Sequence, residues 1–399
     1  MNLKIKKQNI KIKIQKYNGE ELFYFFSYSL IMIFSIWDIA FLNKYLPYTL
    51  LELVSLTCIE ILVIKELLIS KMNFKALIAI VICTFLAILV MKNSSGFLQS
   101  TVAFSLFFIY AGRNINFHKI AIHTIILNFI LLFMIVILSK TGIILNYISC
   151  DDGRKREFLG FLYTLYPATI AFNITALYIY IKKRSLSFGS LLFLCLFNLW
   201  FFFKTDARLI FASSIIIILF AIIMKIIKNH EKIRCFFAPM IFAFPVCFFL
   251  SIYLTLSYSS AKKWMYELNI FLSHRLSLGR ASLIGYGYKI FGQKINWIGM
   301  SVNSNGQRNT SVYNYVDSLY IQILQRYGVI FTVLFLGLMT MVCFMCFKRK
   351  NYYLLFILFI LAIHGIIDDL ILYMYFNTFW FAIGNEIMNN FQIENNIKR

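Results

Sequence analysis

Long apolar runs separated by short polar joints set the pattern of this chain. Runs of about 18 or more residues recur, long enough to cross a bilayer as helices that satisfy their own backbone hydrogen bonds. The strand signature of a membrane barrel is alternation at period two. These runs do not show it, which excludes that class. The pattern predicts an all-α polytopic integral membrane protein with about 12 transmembrane helices. They fall near residues 22–41, 46–64, 75–91, 97–112, 119–139, 158–181, 187–204, 208–227, 236–256, 328–347, 352–372 and 374–389. Lys204-Thr205-Asp206-Ala207-Arg208 reads as a tight reversal between two of them.

One stretch breaks the pattern. Residues 257–316 are polar and amphipathic, with Lys262, Lys263, Arg275, Arg280, Lys289, Lys294 and Arg308 set against a single acid, Glu267. The expected organisation is a basic tail at 1–21, nine helices within 22–256, one large loop at 257–327, and three helices and a second tail within 328–399.

Composition agrees. The 399 residues are 60% hydrophobic with a mean hydropathy of +0.76, more apolar surface than a soluble core of this size needs. No cleavable signal peptide is visible, because no small-residue cleavage site follows the first apolar run. Richness in Ile, Lys, Asn and Phe suits a bacterial source with an AT-rich genome.

The formal charge is +22, and its distribution along the joints sets an expected orientation. With the N-terminal tail inside, the inner joints collect Lys65, Lys71, Lys75, Arg113, Lys119, Lys182, Lys183, Arg184, Lys225, Lys228, Lys232, Arg234, Lys348, Arg349, Lys350, Lys398 and Arg399. By the positive-inside rule both ends are cytoplasmic and the large loop faces outward in the cell membrane. Most of the net charge then lies beside acidic lipid. The basic outer loop runs against that bias. It reads either as a solvated loop or as an attractor of anionic substrate.

Charges at membrane depth cost roughly 2.5–3.5 kcal/mol each on insertion scales, so each asks for a reason. Asp206 and Arg208 stand at the reversal and can pair there. His364 and Asp368 are four apart on one helix face, with Asp369 beside them. They read as a helix-linking hydrogen bond or as a site. Glu52, Glu60 and Glu386 read as interhelical or interfacial groups, and Asp38 sits near a helix end. These groups gather at outer helix ends, whereas a secondary transporter places its site at the midplane between repeats. The eight cysteines lie mostly in or beside spans. Cys343 and Cys346 form a C-x-x-C with no second pair or nearby His, which argues against a zinc or redox role.

Motif order adds a resemblance. Ser273-His274-Arg275-Leu276-Ser277-Leu278-Gly279-Arg280 is followed by Ile290-Phe291-Gly292, then by Val316-Asp317-Ser318-Leu319-Tyr320 and Gln325-Arg326-Tyr327-Gly328-Val329. Thr205-Asp206-Ala207-Arg208 precedes them, as does Arg156-Glu157-Phe158-Leu159-Gly160-Phe161 with Pro167. This ordered set resembles the bacterial oligosaccharide repeat-unit polymerases of the Wzy type and the related O-antigen ligases. It departs from the family pattern at Ala168, where an Asn usually follows the proline, and at Asp317, where the ligases have a histidine.

The resemblance implies a metal-independent glycosyltransferase without cofactor. Its substrate would be an oligosaccharide on undecaprenyl diphosphate at the outer leaflet of the cell membrane. A sugar hydroxyl attacks the anomeric carbon of the growing chain and the lipid diphosphate leaves. The implied partners are membrane lipid, a flippase and a chain-length regulator, with no nucleic acid. A ligase-like transferase is the near alternative, and a lipid-linked oligosaccharide flippase the alternative from another class.

Arginine suits diphosphate because it stays charged and binds oxygen pairs in a fork. Arg208 and Arg280 are therefore expected in the catalytic set, with Arg275, Arg154, Arg156 and Arg326 binding substrate. Asp317 and His364 are rival general bases, and Asp317 also suits an N-cap. Asp368 and Tyr320 complete the expected substrate contacts. Tyr313, Tyr315 and Trp297 fit a sugar-stacking surface or an interfacial belt. The loop has too few acids for a divalent metal.

Overall fold

The computed structural model describes residues 18–70, 74–94, 96–151, 153–227, 234–308 and 311–387. The basic tail at 1–17, Lys71, Lys228, Lys232, Lys398, Arg399 and Asp152 lie outside the described residues. The protein is mostly helical. Its helices are α1 (Gly19–Asp38), α2 (Tyr48–Leu68), α3 (Phe74–Asn93), α4 (Phe97–Ala111), α5 (Phe117–Lys140), α6 (Tyr166–Lys182), α7 (Phe188–Thr205) and α8 (Arg208–Ile226). There follow α9 (Arg234–Phe237), α10 (Ala243–Ser257), α11 (Lys263–Phe271), α12 (Arg275–Tyr286), α13 (Leu319–Gln322), α14 (Gly328–Lys348) and α15 (Tyr352–His364).

Among the described residues, seven helical runs are long and apolar enough to cross a membrane. They are Gly19–Asp38, Ala76–Asn93, Phe117–Lys140, Phe188–Thr205, Arg208–Ile226, Arg234–Ser257 and Leu319–Lys348. Ser100–Ala111 and Tyr352–His364 are apolar but shorter. α2 is 21 residues long and carries Glu52, Glu60, Lys65 and Glu66. Glu52 and Glu60 are exposed on its outer face. Glu386 is buried and paired with Arg349.

The expected helices at 352–372 and 374–389 do not form as drawn. α15 stops at His364, and the chain continues through short 3-10 turns at Leu370–Leu372 and Thr378–Phe381. Side chains there compete for the backbone donors a helix would use. Asp368 accepts from the Leu370 amide at 2.7 Å, and Asn377 from the Phe379 amide at 3.1 Å. Asn377 also donates to the Ile371 carbonyl at 3.0 Å. The segment is nonetheless buried, so its irregular backbone is shielded by protein. A second departure from all-α is a small antiparallel hairpin, β1 (Ile148–Asp151) with β2 (Arg154–Glu157), Ile148 opposite Glu157.

The joints collect at two opposite ends of the bundle. One end holds a buried ionic knot. Lys65 Nζ lies 3.0 Å from Glu20, 2.9 Å from Glu66 and 2.6 Å from the Ala111 carbonyl, and Arg113 meets Glu66 at 2.7 Å. At the other end the loops knit together. The Phe41 amide bonds to Gly160, the Leu162 amide to Ile39 and the Val302 amide to Leu162. Arg308 grips Asp151 with two bonds of 2.8 and 2.6 Å, tying the large loop to the hairpin. Between the ends, polar pairs such as Tyr28–Thr124 (2.7 Å) and Asn173–Thr378 (2.8 Å) link helices across an aromatic core.

Candidate functional site

The site sits at the loop-rich end, and a backbone clamp builds it. The chain leaves α13 through one π-turn, Ile323–Tyr327, which widens the helix just before Gly328. Such turns recur at functional sites. Here the loop segment 289–293 lies directly on the turn. Gln293 N donates to the Arg326 carbonyl at 3.1 Å, Val329 N to Lys289 at 3.1 Å and Ile330 N to Ile290 at 3.3 Å. Gly292 (φ +75°) and Gly328 (φ +92°) face each other with no room for side chains. A Cβ on Gly292 would lie 2.1 Å from the Arg326 carbonyl oxygen, and one on Gly328 2.2 Å from the Gly292 nitrogen.

Gly292→Ala should therefore destabilise the protein by more than the roughly 1–2 kcal/mol that positive φ alone costs a residue with a Cβ. A lowered thermal midpoint of the purified protein checks this, and an unchanged midpoint would mean the clamp opens without cost.

Glutamines complete the frame. Gln325, fully buried, donates to Ser282 O at 3.0 Å and Gly287 O at 2.9 Å and accepts from the Ser282 hydroxyl at 2.8 Å. Gln322 donates to Val316 O at 2.9 Å. α12 packs against this frame at Gly279, where a Cβ would meet Ile321 and Thr255 at 2.9 and 3.0 Å. Arg275, Gly279 and Ser282 share that helix face at spacings of four and three. Arg280 is five residues from Arg275, roughly 140° around the helix, and it is exposed.

The charged groups then converge. Arg275 lies 3.5 Å from Asp317, and Tyr313 donates to the same carboxylate at 3.2 Å. The N-cap of α13 is Ser318, and its side chain makes no capping bond. The Asp317 carboxylate thus faces Tyr313 and Arg275 and does not cap the helix. Burial pushes the Asp317 carboxyl above the usual carboxylate range; Arg275 opposes the shift and Asp368 adds to it. Asp369 accepts from Tyr315 at 2.6 Å and lies within electrostatic reach of Asp317 and Asp368. Arg326 is 1% exposed and rests 4.8 Å from the Trp297 ring centre.

His364 lies deeper. Its Nδ1 is 2.9 Å from the Ser213 hydroxyl, its ring stacks on Phe172, and its Nε2 is 3.5 Å from Asp368 without hydrogen-bond alignment. Tyr320 is buried, with its hydroxyl on the Ala362 carbonyl at 2.7 Å, so it joins α13 to α15.

A second basic group borders this constellation. Arg154, Arg156 and Arg208 surround Asp206, with Arg208 at 3.2 Å and Arg156 at 4.0 Å. Asp206 adopts a left-handed conformation (φ 50°) at the tight α7–α8 reversal that also carries Arg208, and β2 brings Arg154 and Arg156 to it. Tyr163 is the bridge, within electrostatic reach of Asp317 and Arg275 on one side and of Arg156 on the other.

The structure thus gathers Arg275, Asp317, Asp368, Arg326 and His364, sets Arg154, Arg156 and Arg208 alongside, and leaves Arg280 apart. Sequence reading did not single out Tyr163, Gln322, Gln325 or the facing glycines as a pair. The glycines do stand inside the two motif pieces that meet, and this was the signal available. No protein-family model, curated protein or solved structure matches the chain.

Proposed function

We propose that the protein polymerises lipid-linked oligosaccharide repeat units by glycosyl transfer at the outer face of the bacterial cell membrane. Lipid diphosphate is the leaving group. In this reading both termini are cytoplasmic and the loop between the apolar runs Arg234–Ser257 and Leu319–Lys348 faces outward. The observation that carries it is that Asp317, Tyr313 and Arg275 meet while Tyr163 lies within electrostatic reach both of Asp317 and Arg275 and of Arg156, one of three arginines around Asp206. One part supplies a base and the other supplies cations, in the motif order that resembles repeat-unit polymerases.

The chemistry divides between them. The acceptor sugar hydroxyl gives its proton to the Asp317 carboxylate as its oxygen bonds to the anomeric carbon of the growing chain. The carbon–oxygen bond to diphosphate breaks, and the diphosphate leaves with the electron pair. A carboxyl held above its usual range is a better proton acceptor near neutral pH. Arg275, Arg154, Arg156 and Arg208 offer charged donors to the departing diphosphate. Of the two base candidates, Asp317 is half-buried and His364 enclosed, which favours Asp317.

The test is the length of surface glycan in a strain lacking the gene. Single unpolymerised repeats on the surface are expected. Unchanged polymer would overturn the reading, and loss of all surface repeats with lipid-linked repeats trapped inside would replace it with a flippase.

A further inference from the structure

The hydrogen-bond inventory around Arg326 is one-sided. Nε, Nη1 and Nη2 of Arg326 and the Trp297 indole nitrogen are buried without a well-aligned hydrogen-bond partner, and the acceptor nearest to hand is the neutral Tyr327 hydroxyl, which carries no charge to match the guanidinium. Trp297 underlies the guanidinium, and Tyr327 lies within its electrostatic reach. Each of these atoms can donate, and the three arginine nitrogens and the indole can only donate. An unpaired buried guanidinium is costly, so the arrangement asks for an acceptor that carries charge.

The surroundings narrow the class of acceptor. The groups facing the guanidinium are Trp297, Tyr315, Tyr327, Tyr373 and Asp369. Asp369 is the only acid among them. It is not within ion-pair distance of Arg326 among the described residues, and it is engaged by Tyr315. Trp297 and Tyr315 meet edge to face at 6.2 Å and are half-buried, so an aromatic wall runs from the guanidinium to the surface. A single guanidinium balances at most one negative charge, not the two or more of a diphosphate, and the nearby Asp369 makes a doubly charged ligand less favourable still. A planar carboxylate matches the fork of the guanidinium, and a sugar ring matches the aromatic wall.

We propose that Arg326, Trp297 and Tyr327 form a subsite for the carboxylate of an acidic sugar, so that the repeat unit handled by this protein contains a uronic-acid-like residue. This rests on the glycan-polymerase reading but assigns a different set of residues from the diphosphate-holding arginines. The clamp between Gly292 and Gly328 positions the subsite, since Arg326 gives its carbonyl to Gln293.

The experiment titrates the purified wild-type protein in nanodiscs with glucuronate, glucuronamide, glucose and inorganic pyrophosphate, by calorimetry. Glucuronate should bind roughly tenfold or more tightly than its uncharged amide, as charge-assisted hydrogen bonds imply, and pyrophosphate should not displace it. Arg326→Lys should remove most of that preference. Because the ligand series uses the wild-type protein, a poorly folding variant leaves the test intact. Equal binding of acid and amide, or displacement of glucuronate by pyrophosphate, would overturn the subsite. The surface-glycan phenotype stands or falls separately, so failure here does not read as failure of the polymerase proposal.

Discussion

Asp317→Asn is expected to cut polymer formation by roughly 10²–10⁴-fold, the usual contribution of a positioned general base. Asparagine keeps the shape of the side chain, and its Oδ1 can still accept from Tyr313. What it loses is the ability to take a proton. The pH profile separates this from a structural defect. Burial, opposed by Arg275 and reinforced by Asp368, holds the Asp317 carboxyl above its ordinary range. The base works only when deprotonated, so wild-type activity should fall on acidification at a pH above the roughly 3.9 of a free aspartate. Arg275→Gln removes the opposing cation. That raises the carboxyl further and should shift the acid limb to higher pH. In vitro polymer length over a pH series, with the thermal midpoint as a folding control, reads both effects. Activity within about twofold of wild type in Asp317→Asn, measured on the same general-base scale, would remove Asp317 from the reaction.

The second large effect concerns stability. Lys65 has no exposed surface and is held by Glu20, Glu66 and the Ala111 carbonyl. Lys65→Met should destabilise the protein by about 3–5 kcal/mol, the range for removing one partner of a buried ion pair. The methionine fills similar space, so the loss is mainly electrostatic: two carboxylates remain, and Arg113 stays paired with Glu66. Adding Glu20→Gln should recover part of the loss, because the orphaned charge is then gone. Thermal unfolding of both variants in detergent decides the point. Identical midpoints for Lys65→Met and wild type would mean the ammonium contributes nothing net.

Much of the site was legible because its residues cluster in short ordered motifs. Asp317, Arg275 and Arg326 each stood inside a quoted piece; Arg275 and Asp317 pair, and Arg326 lies within electrostatic reach of Asp369. His364 and Asp368 were found from their four-residue spacing, and their side chains do approach. Arg280 shows the limit. It lies in the same motif piece as Arg275, but the helix turns it away. Tyr320 shows another: its phenol reads as a ligand in sequence, while the fold spends its hydroxyl on Ala362. Tyr163 and Gln325 had no local signature, since each matters only through groups that lie far away in the chain.

Hydrophobic run length by itself determined that this is a helical membrane protein, because apolar runs of that length have one stable backbone solution in lipid. Composition and pattern also determined that residues 257–316 stand outside the apolar runs. Only the tertiary structure decided that the region after His364 continues as buried 3-10 turns, since local side-chain bonds from Asp368 and Asn377 outcompete the helix there. It also decided which of the many basic residues lie close together. That depends on helix phase and on two glycines allowing backbones to touch, and neither can be read from charge or hydropathy along a chain.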